Sequence, residues 1–269
     1  MSNSIREFSW VGSQENFVDK LSTHKLDRIA IGRFGGNSAA GQYKNEDGCL
    51  VWLDEKADWE FALILDAHNT AESAEIVIEQ FEKKKAEIIH TLSLPLNQTF
   101  KRLEAMVLDL LQAEEFLTAC RKVKGETACL IVARKDKYMW WFSVGDCISY
   151  LFHPELAALG QYQINQRQFY EWIGQVNTFE QIVPCYSSGI RELRKGINRI
   201  FLTTDGLIEC PNTPFSNPRE ISKAFSSTQN EDSLQYLLRV IQENNVRDST
   251  TIISWEVNIT KDVTRPSNE

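Results

Sequence analysis

Residues 61–69 read FALILDAHN, so that five consecutive apolar residues run directly into an aspartate and a turn. An unbroken apolar run of this length predicts a β-strand that is buried on both faces. We therefore expect a strand inside a covered sheet, with Asp66 held at its carboxyl end.

The same arrangement, a strand followed by an aspartate, occurs twice more along the chain. Residues 200–206 read IFLTTDG and residues 140–146 read WWFSVGD, which place Asp205 and Asp146 after strands. Two other acids come just before predicted strands, Asp47 in KNEDG and Asp248 in RDSTTIISW. Each acid alone is more often a solvated turn residue, because Asp-Gly is a common turn dipeptide.

The remaining pattern predicts a mixed fold. Strands are predicted at 49–53, 59–65, 128–133, 138–144, 148–152, 200–204 and 250–257. Helical periodicity predicts one helix from Thr70 through Ile89, a second from Pro95 to Cys120, and a shorter one over 233–243. Short turns such as 134–137 favour antiparallel hairpins, and the order of elements favours an α+β layered sandwich over a doubly wound sheet.

Composition limits the possible partners and location. The 269 residues carry a net charge of -8, and the longest basic run is Lys83-Lys84-Lys85, which argues against a nucleic-acid partner. The N-terminus lacks the apolar core of a secretory signal, and no apolar run could span a bilayer. Six cysteines without C-x-x-C pairs indicate reduced, mostly buried thiols and a cytoplasmic location. We expect a single domain over 1–258, followed by a polar tail over 259–269.

The aspartates indicate a cation site if they converge. Carboxylates held at strand ends repel one another and raise each other's pKa values unless a positive charge lies between them. Oxygen ligands alone suit hard cations such as Mg²⁺ or Mn²⁺, and two such ions can activate water for phosphoryl transfer.

The order of six short motifs resembles that of the type 2C, metal-dependent serine/threonine protein phosphatases. These motifs are GQYKNEDG at 41–48, LDAHN at 65–69, GETA at 125–128, VGDC at 144–147, LTTDG at 202–206 and RDSTT at 247–251. The resemblance implies a four-layer α-β-β-α sandwich with two stacked, mainly antiparallel sheets. It also implies a signalling enzyme that hydrolyses phosphoserine and phosphothreonine in a phosphorylated protein partner, using two Mn²⁺ or Mg²⁺ ions with a possible third.

The resemblance also implies roles for the acids. Asp66 would bridge the two ions, Asp205 and Asp248 would bind the first, and Asp47 would serve the second, partly through water. Asp146 matches a position that is associated with a third, weaker ion.

Three neighbouring positions receive roles in the same way. Ala67 stands where the family usually has glycine and would contribute its backbone carbonyl as a metal ligand. Glu46 is expected to hold metal-bound water or to be a turn residue. His68 matches the histidine proposed to protonate the leaving alkoxide, a role that suits its pKa range. A surface histidine at a helix start is the alternative for His68.

The phosphate-gripping part of the site departs from the family. An arginine is usual four residues before Glu46, but the chain has Gln42, and a neutral amide cannot form the bidentate clamp that arginine forms. Lys44 or Arg33 could supply the missing charge. Further departures, which together indicate a divergent, bacterial-like member, are Asn69, Thr70, Cys147 and Ser249.

A long insertion, 153–199, carries aromatic residues and corresponds to the flap of the family. Its aromatics either influence the choice of substrate or fill a small satellite core. They are Tyr162, Phe169, Tyr170, Trp172, Phe179 and Tyr186.

Two other functions remain open at this stage. A pseudophosphatase, which binds a phosphorylated partner with little or no turnover, is favoured by Gln42. A phosphatase of a small phosphorylated metabolite is the other.

Overall fold

The computed structural model describes residues 5–225, 230–265 and 267. The strands in these residues are β1 (Ile5–Val11), β2 (Ser22–Leu26), β3 (Ile29–Phe34), β4 (Gly48–Asp54), β5 (Trp59–His68), β6 (Glu126–Lys135), β7 (Tyr138–Val144), β8 (Ile148–Phe152), β9 (Ile173–Gly174), β10 (Ser187–Glu192), β11 (Gly196–Thr203) and β12 (Thr250–Ile259). The helices are α1 (Glu72–Lys83), α2 (Lys85–Ser93), α3 (Leu96–Leu111), α4 (Glu114–Cys120), α5 (Pro154–Ala158), α6 (Pro218–Lys223) and α7 (Asn230–Glu243).

The strands form two antiparallel sheets. One sheet has the order β1-β4-β5-β6-β7-β10, with β9 paired to β6, and the other has the order β2-β3-β12-β11-β8. One apolar cluster lies between the sheets, a second joins the first sheet to α1–α4, and a third joins the second sheet to α6 and α7. This arrangement confirms the predicted α+β class and the α-β-β-α sandwich.

The central strand β5 shows why its sequence is continuously apolar. Phe61 and Leu63 pack in the cluster shared with the helices, whereas Ala62 and Ile64 pack in the cluster between the sheets. Successive side chains of a strand point to opposite faces, so a strand that is covered on both sides needs apolar residues at every position.

Two of the predicted helices are each divided in the structure. The helix expected over 70–89 is wrong as a single element, because Lys84 separates α1 from α2. The stripe expected to continue to Cys120 ends at Leu111, and α4 starts again at Glu114 after Ala113 adopts an extended conformation. The helical spacing of apolar residues continues across both breaks because all four helices pack on the same sheet.

The ends of the central strands place the acids along one edge of the sandwich. Gly48, which follows Asp47, pairs with Leu65, which precedes Asp66. In the other sheet Thr203 at the end of β11 pairs with Ile252 near the start of β12. The turn from β7 to β8 passes from one sheet to the other and carries Asp146.

Several other features complete the fold. Five of the six cysteines are buried, Cys185 is exposed, and all six are free thiols. After β12 the chain stays close to the body, since Lys261 donates to Asp136 and the amide of Thr264 donates to Glu192. Within the described residues, no helix combines the length and apolar content needed to cross a bilayer.

Candidate active site

The five predicted aspartates interact electrostatically at this edge. Burial raises the pKa of Asp66 well above its usual range, and the negative charges of its four neighbours raise it further. Those neighbours, in order of their effect, are Asp205, Asp47, Asp248 and Asp146. The structure therefore brings together the acids that the sequence placed at separate strand ends.

Two of these neighbours are also held as weak acids. Burial, followed by the charges of Asp248, Asp146 and Glu209, raises the pKa of Asp205 to about 8. Burial is also the main cause that raises the pKa of Asp47 to about 7. Like charges crowded in a desolvated space favour protonation, or a bound cation, over the fully ionised cluster.

Free oxygen atoms in the cluster match what a hard cation binds. Asp66 Oδ2, Asp146 Oδ1 and Asp205 Oδ1 are buried and accept no hydrogen bond. Within the described part of the chain, no group of three His, Cys, Asp or Glu side chains is positioned to bind a metal ion in its present conformation. The donor chemistry thus fits Mg²⁺ or Mn²⁺, while the side chains need to reorient to enclose the ion.

An arginine from the long insertion supplies a positive charge beside the cluster. Arg167 Nη2 lies 3.3 Å from Asp146 Oδ2, 3.5 Å from Asp205 Oδ2 and 2.5 Å from Glu209 Oε1. The guanidinium rests against the ring of Phe169 at 4.8 Å. Arg167 therefore partly neutralises two of the acids to which cation binding was assigned.

Asp47 lies at the base of the cluster and is fully buried. Its Oδ2 accepts hydrogen bonds from Thr251 Oγ1 at 2.7 Å and Thr204 Oγ1 at 3.2 Å, and its Oδ1 accepts one from Ser249 Oγ at 3.0 Å. These hydroxyls join β4 of one sheet to β12 of the other. Ser249, one of the departures from the family, thus has a defined partner, and a role for Asp47 at a second ion stays a prediction.

His68 is the last residue of β5 rather than the first of a helix. Its side chain is 45% exposed, its Nδ1 lies 3.9 Å from Asp66 Oδ1, and its ring meets the edge of Trp172 at 5.1 Å. Ala67, beside it, is in the extended strand, where alanine is unstrained. Asn69 follows with φ 75°, a conformation that asparagine tolerates and that explains its use in place of glycine.

The motif GETA at 125–128 begins with Gly125, at a position where the backbone requires glycine. Its φ is 101°, and a Cβ at this position would lie 2.0 Å from the carbonyl oxygen of His68. Only glycine lets the start of β6 approach the end of β5 so closely. This contact fixes the backbone that carries His68.

A cavity of about 460 Å³ opens beside these acids. Its lining includes Gln42, Lys44, Glu46, Ala67, His68, Asn69, Gly206, Glu209, Pro211, Val246, Arg247 and Asp248. Gln42 and Glu46 are buried, and Lys44 forms an ion pair with Glu46 and donates to the carbonyl of Asn69 at 2.6 Å. The positions predicted to grip phosphate therefore do face a cavity, but the charge of Lys44 is already paired.

Arg33 does not line this cavity. Its guanidinium packs over the rings of Phe8, Trp10 and Phe17 at 4.6 to 5.1 Å and donates to Ser22 Oγ at 2.9 Å. These contacts pack β1 and Phe17 against β3. They also keep the charge of Arg33 in the interior of the protein, away from the cavity.

The insertion aromatics divide into a buried set and an exposed set, and an influence of the exposed set on substrate choice stays a prediction. Phe179 and Tyr186 stack on Phe142 and extend the core of the first sheet. Phe169 and Tyr170 are exposed, the latter by 88%. They lie beside Arg167 in the chain, close to the acidic cluster.

Sequence reasoning missed three residues of the site: Arg167, Glu209 and Arg247. Arg247 belongs to the motif RDSTT, so its position beside Asp248 was available as a signal. Arg167 lies 21 residues beyond Asp146 in a segment without periodic pattern, and no local signal indicates that it folds back onto that acid.

Comparison of the structure with solved structures identifies a common fold. A structure of RsbX in complex with magnesium matches at 15% identity, covering 88% of this chain and 100% of that chain, with a TM-score of 0.57. PppA of Pseudomonas aeruginosa, a regulatory component of T6SS, matches at 13% identity over 95% and 99%, with a TM-score of 0.59. The catalytic domain of the serine/threonine protein phosphatase PstP with two manganese ions matches at 14% identity over 94% and 100%, with a TM-score of 0.56.

At the level of sequence, no family model and no curated protein matches the chain. The matched structures nevertheless agree with the chain over nearly their whole length, and 135 solved chains match in all. The resemblance predicted from the six motifs is confirmed at the level of the fold: the chain has the architecture of the bacterial serine/threonine phosphatases of the type 2C class.

Proposed function

We propose that this chain is a metal-dependent phosphatase that hydrolyses phosphoserine and phosphothreonine in proteins. The observation that carries the proposal is the buried group of aspartates, with unpartnered oxygens on Asp66, Asp146 and Asp205, beside an open cavity. Such a group is unfavourable for the fold in its fully ionised form unless it binds a cation. Its position at the edge of a phosphatase fold favours phosphoryl transfer.

Asp66, Asp205 and Asp248 would hold Mn²⁺ or Mg²⁺, with Asp146 available for a further ion. Two neighbours, RsbX with magnesium and PstP with two manganese ions, support this choice of metal. When bound, such ions lower the pKa of water and stabilise the charge that develops on a transferring phosphoryl group. Asp47 holds the two sheets together beneath the ligands through its three hydroxyl contacts.

His68 is the residue of this site that fits a proton donor. Its ring is partly exposed and lines the cavity, and its Nδ1 lies 3.9 Å from Asp66 Oδ1. Contact with Trp172 and the approach of Gly125 to the His68 carbonyl fix the ring and its backbone. We assign to His68 the transfer of a proton to the leaving oxygen of serine or threonine.

A protein substrate is favoured over a small one by the open surroundings of the cavity. The exposed rings of Phe169 and Tyr170 lie on the insertion near the cluster and would contact residues flanking the phosphate. The neighbouring structures are of serine and threonine phosphatases. A signalling role and a cytoplasmic location stay predictions.

The test is hydrolysis of an aryl phosphate and of a phosphothreonine peptide, with Mn²⁺ and with excess chelator. We expect turnover that requires the metal and that falls by about a thousandfold or more in Asp66→Asn and Asp205→Ala. The exposed Asp109 of α3 provides a matched control, Asp109→Asn, which leaves turnover unchanged. Absence of metal-dependent turnover in the wild type would refute the proposal.

The second candidate is a binding module that binds a phosphorylated partner with little or no turnover. Gln42 at the usual arginine position and the contact of Arg167 with Asp205 favour it. Gln42→Arg discriminates: a large gain in turnover would favour the binding module, because it would mean that the native site is handicapped, whereas unchanged turnover would favour an enzyme that needs no arginine at position 42. A phosphatase of small metabolites would instead prefer free phosphate esters over the peptide in a substrate panel.

A further inference from the structure

We propose that Arg247 supplies the phosphate-binding guanidinium that position 42 lacks. This inference rests on the proposed phosphatase function and names the residue that grips its substrate. Gln42 is neutral and buried in the wall of the cavity. Arg247 lines the same cavity and is exposed to it.

Gln42 and Arg247 both pack closely against Gly36. A Cβ on Gly36 would lie 2.1 Å from the carbonyl oxygen of Arg247 and 3.0 Å from Cγ of Gln42. Gly36 has φ 80°, and its lack of a side chain allows both residues to pack against it. The arginine at 247 is thus anchored beside the position from which an arginine at 42 would extend.

Hydrogen bonds through Asn37 fix this arrangement. The amide of Asn37 donates to the carbonyl of Val246 at 2.8 Å, and its side-chain amide donates to the carbonyl of Gln242 at 3.1 Å. The amide of Gln42 in turn donates to the carbonyl of Asn37 at 3.2 Å. Asn37 therefore joins the backbone before Arg247 to the backbone of Gln42 through these hydrogen bonds.

The other cations near the site are committed to acids or to the core. Lys44 pairs with Glu46, and Arg167 contacts Asp146, Asp205 and Glu209. Across the residues that the structure describes, Arg247 has no carboxylate partner.

A guanidinium without a competing acid can form two parallel hydrogen bonds to a phosphate dianion. Asp248, the next residue, would bind the ion on one side of the phosphate, while Arg247 would hold the phosphate oxygens from the cavity wall. The sequence Arg-Asp at 247–248 thereby joins phosphate recognition to cation binding.

The experiment compares Arg247→Gln and Arg247→Lys with Arg239→Gln, a control that removes the same charge from the exposed face of α7. Two readouts are used: the KM for 4-nitrophenyl phosphate in Mn²⁺, and the affinity for inorganic phosphate by calorimetry. We expect Arg247→Gln to raise KM and weaken phosphate binding by about 10-fold to 100-fold, with a smaller change in kcat. Arg247→Lys should be intermediate, and Gln42→Arg should restore phosphate affinity to Arg247→Gln.

The outcomes separate this inference from the proposed function. If the wild type turns over substrate but Arg247→Gln matches Arg239→Gln in both readouts, the assignment of Arg247 is overturned and the phosphatase stands. If the wild type shows no turnover, the phosphate titration alone decides, and a loss of affinity confined to Arg247→Gln supports the assignment. Equal affinity in both variants overturns it.

Discussion

Arg167 Nη2 lies 3.3 Å from Asp146 Oδ2, so that a guanidinium from the insertion rests against an acid at the edge of the sandwich. The same nitrogen reaches Asp205 and Glu209. A cation tethered to the chain and a divalent ion would compete for the same oxygens, since both neutralise the same negative charge.

We predict that Arg167→Gln binds Mn²⁺ more tightly than the wild type, by about tenfold, because the competing charge is removed. Calorimetric titration measures this without any substrate. Arg191→Gln is the control, since Arg191 donates to Gln161 away from the cluster. Weaker binding by Arg167→Gln would show instead that Arg167 holds the acids in position for the ion.

Asp66→Asn is predicted to stabilise the metal-free protein. The carboxyl of Asp66 is buried among four other aspartates, so that its replacement by a neutral side chain relieves repulsion. In chelator we expect the melting temperature to rise by about 2–4 °C. Added Mn²⁺ should stabilise the wild type and not the variant, whereas Asp109→Asn should behave as the wild type. A lower melting temperature of Asp66→Asn in chelator would contradict this.

The metal-free protein is predicted to lose stability as pH rises. The pKa of Asp47 is raised to about 7 and that of Asp205 to about 8 in the folded chain, whereas carboxyls of the unfolded chain titrate near pH 4. Between about pH 4 and about pH 8 the folded chain therefore holds protons that the unfolded chain has released, and stability falls across this window. Urea unfolding in chelator at about pH 5, 6, 7 and 8 measures the slope.

Metal should reverse this dependence, because an ion competes with protons for the same oxygens. With saturating Mn²⁺ the added stability is expected to grow from about pH 6 to about pH 8. A stability in chelator that rises with pH over this range would show that the acids are not held as weak acids.

A buried ion pair far from the site gives a prediction about the fold alone. Glu60 of β5 and Arg134 of β6 are 0% and 1% exposed, and Arg134 Nε donates to Glu60 Oε2 at 2.6 Å. Glu60 also pairs with Arg28, and Arg134 also pairs with Asp58. Glu60→Gln or Arg134→Met therefore leaves its buried partner with only this second, more exposed ion pair, and should cost about 1–3 kcal/mol of unfolding free energy. Guanidinium unfolding measures the loss.

The double variant Glu60→Leu/Arg134→Met should recover much of that stability, since it removes both charges. Mn²⁺ affinity should be unchanged, because Glu60 lies about 20 Å along the strand from Asp66. A double variant that is less stable than either single variant would contradict this account of the pair.

The central strands were predictable from sequence because strands buried on both faces consist of continuous runs of apolar residues. Strand β7 has the predicted bounds, 138–144, and β5 and β6 extend the predicted strands by a few residues. The strands β1, β2 and β10 lie at sheet edges and contain many polar residues, so their pairing depends on distant partners rather than on a local pattern.

The candidate site was predictable in part for a related reason. Asp66 and Asp205 follow apolar strands, and such positions can be read from the sequence, whereas the fold decides which distant residues join them. Arg167 reaches the cluster from the insertion, and Arg247 meets Gln42 only because both pack on Gly36. Neither relation leaves a local trace in the sequence.

The most direct test of the central claim is a crystal structure of the wild-type chain grown with Mn²⁺, with the ions located by anomalous scattering. We predict two ions about 4 Å apart that share Asp66, with Asp205 and Asp248 on one of them and Arg167 displaced from Asp205. A structure in which Mn²⁺ is absent from this edge at saturating concentration, with Arg167 still against Asp205, would contradict the claim that Asp66, Asp205 and Asp248 form a metal-dependent catalytic site.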